Sequence, residues 1–263
     1  MDLGLEGRIA FITGANRGIG ETIAVALADE GVNLVIFGRN LPSCMEVAEK
    51  LKARGRGVRT SAFRLDFEDR RSIKPAVDAA ASKMGGVDIL INCAGGAYRG
   101  TLNDIPDDEW ERYFAVKPLG LIRMTRETLP YLKKSSQARV INISGTRGRE
   151  PEKFSSMSGP INFSALSATK AMANEFGPLG ITVNAICPGS TKTRRWDELV
   201  RMTMEDQGIS EKAATKVLLS GVPLGQIITP ENIAALTVFL ASARAAQITG
   251  CSINIDGGRT RSI

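Results

Sequence analysis

Thr13-Gly14-Ala15-Asn16-Arg17-Gly18-Ile19-Gly20 lies between an apolar run, Arg8 to Thr13, and an amphipathic stretch, Gly18 to Glu30. The run reads as a strand and the stretch as a helix. Three glycines let the backbone turn sharply and come close to a ligand, while the helix N-terminus offers free N–H groups and a positive dipole end to a pyrophosphate. A glycine pattern alone is equally a tight turn between strand and helix. Its position in a strand–turn–helix unit and its G-x-x-x-G-x-G spacing favour dinucleotide binding.

The same rhythm continues to the far end of the chain. Strands are expected at Asn33–Phe37, Val58–Leu65, Asp88–Ile91, Ala138–Ile143, Ile181–Ile186 and Cys251–Ile255. Helices are expected at Leu41–Arg54, Asp69–Met84, Asp107–Lys133, about Asn162 to Phe176, and Pro230–Ala241, with a polar helical stretch from Thr193 to about Ser220. Alternation of this kind predicts an α/β fold: one doubly wound Rossmann-type domain over residues 1–263, with about seven parallel strands and helices on both faces. No repeat or linker interrupts it.

Composition narrows the chemistry. The chain has 263 residues, a net charge of +6, four cysteines without metal spacing, and no histidine. Histidine triads, histidine metal sites and histidine acids are therefore excluded, and no metal site is expected. Proton transfer falls to Tyr, Lys, Asp, Glu, Cys or water, and only Tyr98, Tyr113 and Tyr131 are tyrosines. No basic stripe with interleaved aromatics suggests nucleic acid. No apolar run approaches the roughly 18 residues of a membrane span. With no secretory signal visible after Met1, the expectation is a cytoplasmic protein acting on a small molecule.

Further motifs occur in order. Leu65-Asp66 ends the third strand, and Asn92-Cys93-Ala94-Gly95 follows the fourth. Pro188-Gly189-Ser190-Thr191-Lys192-Thr193 follows the sixth, and Ile248-Thr249-Gly250 and Asp256-Gly257-Gly258 flank the seventh. With the glycine turn, these resemble the classical short-chain dehydrogenase/reductase family over nearly the whole chain. The resemblance implies cofactor contacts at Gly14, Asn16, Arg17, Gly18, Ile19, Gly20, Asp66, Asn92, Ala94, Gly95, Pro188, Gly189 and Thr193. It also implies a homo-oligomer, tetramer or dimer, and a substrate lid near residues 195–220.

NAD-binding units usually carry an acid about 20 residues past the glycines, for the ribose 2′-hydroxyl. Here the second strand ends Phe37-Gly38-Arg39-Asn40, with no carboxylate between Gly31 and Met45. Arg39, with Arg17 nearby, suits a 2′-phosphate, so NADP(H) is favoured over NAD(H).

The family's chemistry uses an asparagine, a serine, a tyrosine and a lysine, the last two as Tyr-x-x-x-Lys. Lys170 matches the lysine and implies a ribose contact, but Leu166 then replaces the tyrosine. Gly145 falls at the serine. Lys117, seven residues after Trp110, falls at the asparagine. In this register the loop from Gly145 to Leu166 is about eight residues longer than in typical members. The resemblance is thus to a divergent member lacking the active-site tyrosine.

Four residues are candidates for the chemistry. Lys170 is the first. Lys117, if buried, would lose part of its basicity and could exchange protons or form a Schiff base; otherwise it snorkels to solvent at a kink set by Pro118. Asn162 either bonds a substrate oxygen or caps its helix. Tyr98 lies in a loop bordering the family's substrate pocket. Arg147 and Arg149 are either carboxylate ligands or solvated charges, and Trp196, Met202 and Met204 either line a pocket or pack the lid. The functions consistent with this set are an NADP(H)-dependent oxidoreductase on a carbonyl or alcohol, a non-redox isomerase, lyase or dehydratase, or a catalytically silent NADP(H)-binding protein.

Overall fold

The computed structural model describes residues 1–54, 57–96 and 100–262. Its elements are β1 (Ile9–Thr13), α1 (Gly18–Asp29), β2 (Asn33–Gly38), α2 (Leu41–Lys52), β3 (Thr60–Arg64), α3 (Ile73–Met84) and β4 (Ile89–Asn92). Next come α4 (Asp107–Val116), α5 (Pro118–Leu132), β5 (Arg139–Ile143), α6 (Ser158–Phe176), β6 (Thr182–Pro188), α7 (Arg194–Gln207), α8 (Glu211–Leu219), α9 (Pro230–Ala241) and β7 (Ser252–Ile255).

The strands form one parallel seven-stranded sheet in the order β3-β2-β1-β4-β5-β6-β7. Successive side chains on a strand face opposite ways, and here both ways lead to a core. Ala10, Ile12, Leu34, Ile36, Ile89 and Ile91 point to one side, where they meet Ile23 and Leu27 of α1, Leu51 of α2 and Ile233 of α9. Their neighbours Phe11, Val35, Phe37 and Leu90 point to the other, against Val77 of α3, Met124 of α5 and Met172 of α6. The expected Rossmann-like α/β fold is therefore present. Strand order reverses beside β1, and in such sheets ligands bind outside the strand C-termini at that switch.

The expected helix from Asp107 to Lys133 is two helices. Proline has no N–H to donate and disfavours helical geometry in the residue before it. Lys117, with φ −95° and ψ −74°, sits in the break between Val116 and Pro118. The sixth helix starts at Ser158, a turn earlier than expected. The polar stretch after Thr193 divides into two helices, because Gly208 takes the left-handed conformation and the Ser210 side chain accepts a bond from Ala213 N–H to start the next.

Gly120 on α5 packs against the ring of buried Phe67, and a methyl group there would meet three ring atoms at 2.8–3.1 Å. Glycine to alanine ordinarily favours a helix, but overpacking a core costs about 1–3 kcal/mol. Gly120→Ala should therefore lower the urea unfolding midpoint. A raised midpoint would show that the ring yields freely.

Candidate active site

The glycine turn folds onto the end of β4. Gly14 has φ +68°, and a methyl group there would lie 2.8 Å from Ala94 Cα. One at Gly20 would lie 2.5 Å from the Gly14 carbonyl oxygen. Thr13 Oγ1 accepts hydrogen bonds from the N–H groups of both Cys93 and Ala94, at 3.1 Å each, closing β1 against β4. No side chain caps α1, so its first turn faces outward with donors to offer. That donor set fits the pyrophosphate of a dinucleotide.

The flanking residues extend the cleft. Asn16 Nδ2 donates to Ser43 Oγ at 3.1 Å, linking the turn to α2, while Arg17 is exposed. Arg39 is exposed at the end of β2 and pairs with Glu68 at 2.9 Å. Asp66 accepts from Glu68 N–H at 3.1 Å, which folds the loop after β3 towards Arg39. Gly189 is packed against Asp256, and Thr193 lies beside Gly18, bringing the segment after β6 to the glycine turn. Ile19 is half-buried at the start of α1.

Asn92 differs from its expected part. Its amide is buried between layers and donates to Asn142 Oδ1 at 2.9 Å and to Thr125 Oγ1 at 3.2 Å. Asn142 in turn donates to Thr169 Oγ1 at 2.9 Å. A side chain held in this ladder braces β4, β5, α5 and α6 and does not face the cleft.

Lys117 turns inward from the helix break. Its amine donates to Asn162 Oδ1 at 2.7 Å and to the Ser144 carbonyl at 3.0 Å. Its stem passes over Gly95, where a methyl group would meet Cδ at 3.0 Å. It neither snorkels outward nor leaves Asn162 to cap a helix. Some of the residue stays accessible, but the amine itself is enclosed. Burial brings its pKa from the ordinary 10.5 down to about 8; Arg195 acts the same way, against the opposing influence of Cys93 and Cys187. The Cys93 thiol, also buried, is pushed up to about 12 and stays protonated.

Lys170 is not brought to this place. It lies eight residues beyond Asn162 on α6, about 12 Å along a helix. It is exposed there, with its ammonium against Gly250, whose N–H bonds the Val183 carbonyl near the start of β6. That is the end of the strands opposite the one that carries the glycine turn. The loop of extra length disappears if the Tyr-x-x-x-Lys register moves back eight positions. The move lands on Ser158, the first residue of α6, and on Asn162 one turn later. Ser158 escaped the sequence reading because Lys170 offered a lysine of the right type in the wrong turn.

Tyr98 lies outside the described residues. Tyr113 packs with Trp110, Phe114, Met157 and Ile161, and Tyr131 donates to Asp78, as packing residues would. Arg147 pairs with Glu152, and Arg149 donates to the Ser252 carbonyl at 2.7 Å, so neither is a loose loop charge. Trp196 and Met204 pack inside the α7–α8 unit, while Met202 is exposed. Among the described residues there is no cluster of side chains fit to hold a metal, and no helix long and apolar enough to cross a membrane.

The sequence model of the family described as Enoyl-(Acyl carrier protein) reductase matches residues 14–260. D-beta-hydroxybutyrate dehydrogenase of Cupriavidus necator is 34% identical over 257 residues, covering 97% of this chain and 98% of that one. NADPH-dependent reductase BacG of Bacillus subtilis is 32% identical, covering 97% and 99%. The crystal structure of L-sorbose reductase from Gluconobacter frateurii, complexed with NADPH and L-sorbose, superposes with a TM-score of 0.94 at 28% identity over the whole of both chains.

The depressed amine makes folding pH-dependent. Between pH 8 and 10.5 the unfolded chain keeps a proton that folded Lys117 has released, so through this group stability rises with pH across that window. Cys93 acts oppositely above pH 9, so wild type must be compared with Lys117→Met. The difference in thermal midpoint should shift in favour of wild type from pH 8 to 10. A difference independent of pH would place the amine in water.

Proposed function

This chain belongs to the short-chain dehydrogenase/reductase family, and from that premise we propose that it is an NADP(H)-dependent oxidoreductase of a small carbonyl or alcohol with an atypical proton-transfer site. The observation that carries the proposal is the Lys117 amine, held by Asn162 and Ser144 at the strand ends beside the glycine turn.

The glycine turn, the α1 N-terminus and Thr193 would hold the dinucleotide, with Pro188 and Gly189 shaping the wall beyond. When bound, a nicotinamide exchanges hydride with a carbonyl carbon. The protein's share is orientation and a proton for the carbonyl oxygen. No tyrosine stands at position 158 or 166. Lys117, changing charge near pH 8, is the group able to give and regain that proton, and the Ser158 hydroxyl one turn from Asn162 can relay it. Lys170 has no part in this scheme.

Preference for NADP(H) rests on Arg39 and Arg17. The Arg39–Glu68 pair is exposed, and such pairs are weak enough for a 2′-phosphate to displace the carboxylate. Arg39→Ala should weaken NADPH binding about tenfold or more, the scale of one charge-assisted contact, and leave NADH nearly unchanged. Equal loss for both nucleotides, by fluorescence titration, would remove Arg39 from the phosphate site. Assembly as a homodimer or homotetramer belongs to the same proposal, supported by exposed Phe163 on α6 and Leu119 on α5.

Turnover of small ketones and aldehydes with NADPH tests the function directly. Reduction should fall as pH rises past about 8, because the donor is the ammonium form. Lys117→Ala should lose that limb and about 10²–10⁴-fold in kcat at saturating cofactor. Turnover without a change in nicotinamide absorbance would instead indicate an isomerase, lyase or dehydratase. Tight NADPH binding without turnover would indicate a silent binding protein.

A further inference from the structure

We propose that Lys117 and Asn162 are an exchanged pair, amine and amide having traded places between the α4–α5 break and α6, and that the amine so placed is a ligand of the bound dinucleotide. The second half deepens the oxidoreductase reading and rests on it.

Three glycines make the arrangement possible. A side chain at Gly95 would block the lysine stem at Cδ, at 3.0 Å. A methyl group at Gly145 would lie 3.0 Å from Asn162 Nδ2, and one at Gly148 2.9 Å from Asn162 Cβ. The amide at 162 and the amine at 117 are therefore fitted to one space walled by bare backbone. Asn162 is only 8% exposed, so its carbonyl would be a costly buried acceptor without the amine's N–H. Exchanging the two side chains preserves one amine and one amide in that space. It reverses only which helix supplies which.

The amine's surroundings specify what it meets. An ammonium has three N–H donors, and Asn162 and Ser144 accept two of them. Among the described residues, the ionisable groups that act on it are Cys93 after β4, Cys187 in β6 and Arg195 on α7, and none is a carboxylate. An enclosed cation without an anionic partner is expensive, and an oxygen-rich anionic ligand supplies what the protein omits. Position agrees, because Gly95, over which the lysine passes, directly follows Ala94, on which Gly14 of the glycine turn rests.

Four proteins decide the matter: wild type, Lys117→Asn, Asn162→Lys and the double exchange. Asn162→Lys alone confronts two ammonium groups and should melt several degrees lower, on a scale of about 2–4 °C per kcal/mol for a chain of this size. The double exchange should recover more than half of that loss. Lys117→Asn should weaken NADPH binding about tenfold or more, and the double exchange should return it to within about threefold of wild type. Melting that stays depressed in the double exchange overturns the pairing. Restored melting with NADPH affinity untouched in Lys117→Asn overturns the ligand role. Failure of wild type to bind any nicotinamide nucleotide overturns the oxidoreductase reading instead, while the melting series still decides the exchange.

Discussion

A single hydroxyl sets the geometry on which the site depends. Thr13 Oγ1 takes N–H bonds from Cys93 and Ala94, so the strand that leads into the glycine turn is clasped to the strand beside it where strand order reverses. That clasp extends the β1–β4 ladder, which pairs Thr13 with Asn92, one step into the loop. The clasp holds Ala94 against Gly14, and Gly95 comes with it. Gly95, in turn, leaves the passage through which Lys117 enters. The closure thus links the glycine turn to the passage that the Lys117 stem occupies.

The second constraint is the helix break. A lysine on an uninterrupted helix would extend along the outer surface, where its charge is cheapest. Pro118 ends that option by separating α4 from α5, and the residue at the break points across the strand ends. The amine then lies among backbone carbonyls and an amide rather than in water. Desolvation brings its pKa down to about 8.

The fold was legible in the sequence because apolar runs of strand length alternate with amphipathic helices, and because the glycine turn stands where the first crossover begins. Pro118 implies a kink beside Lys117, but a kink alone does not show that the helix divides there and that the lysine turns inward. The least legible part was α6. Position along a helix must be known to within a turn before a side chain can be placed at a site, and the boundary was uncertain by that amount. Lys170 supplied a residue of the expected kind, so the match was made by type and the loop was stretched to accommodate it. Contacts give the place that residue type left open: Asn162 touches Lys117, and Lys170 touches Gly250 at the opposite end of the strands. Asn92 is a similar lesson. Its motif is intact, but its amide serves the polar ladder through Asn142 and Thr169.

The α7–α8 unit has a core of its own. Trp196, Val200 and Ala214 pack with Leu199, Met204, Ile209 and Leu218, apart from the two cores that flank the sheet. A segment that carries its own interior can accumulate substitutions without renegotiating the packing of the strands. Residues 194–219 can therefore change with little consequence for the packing of the strands beneath them.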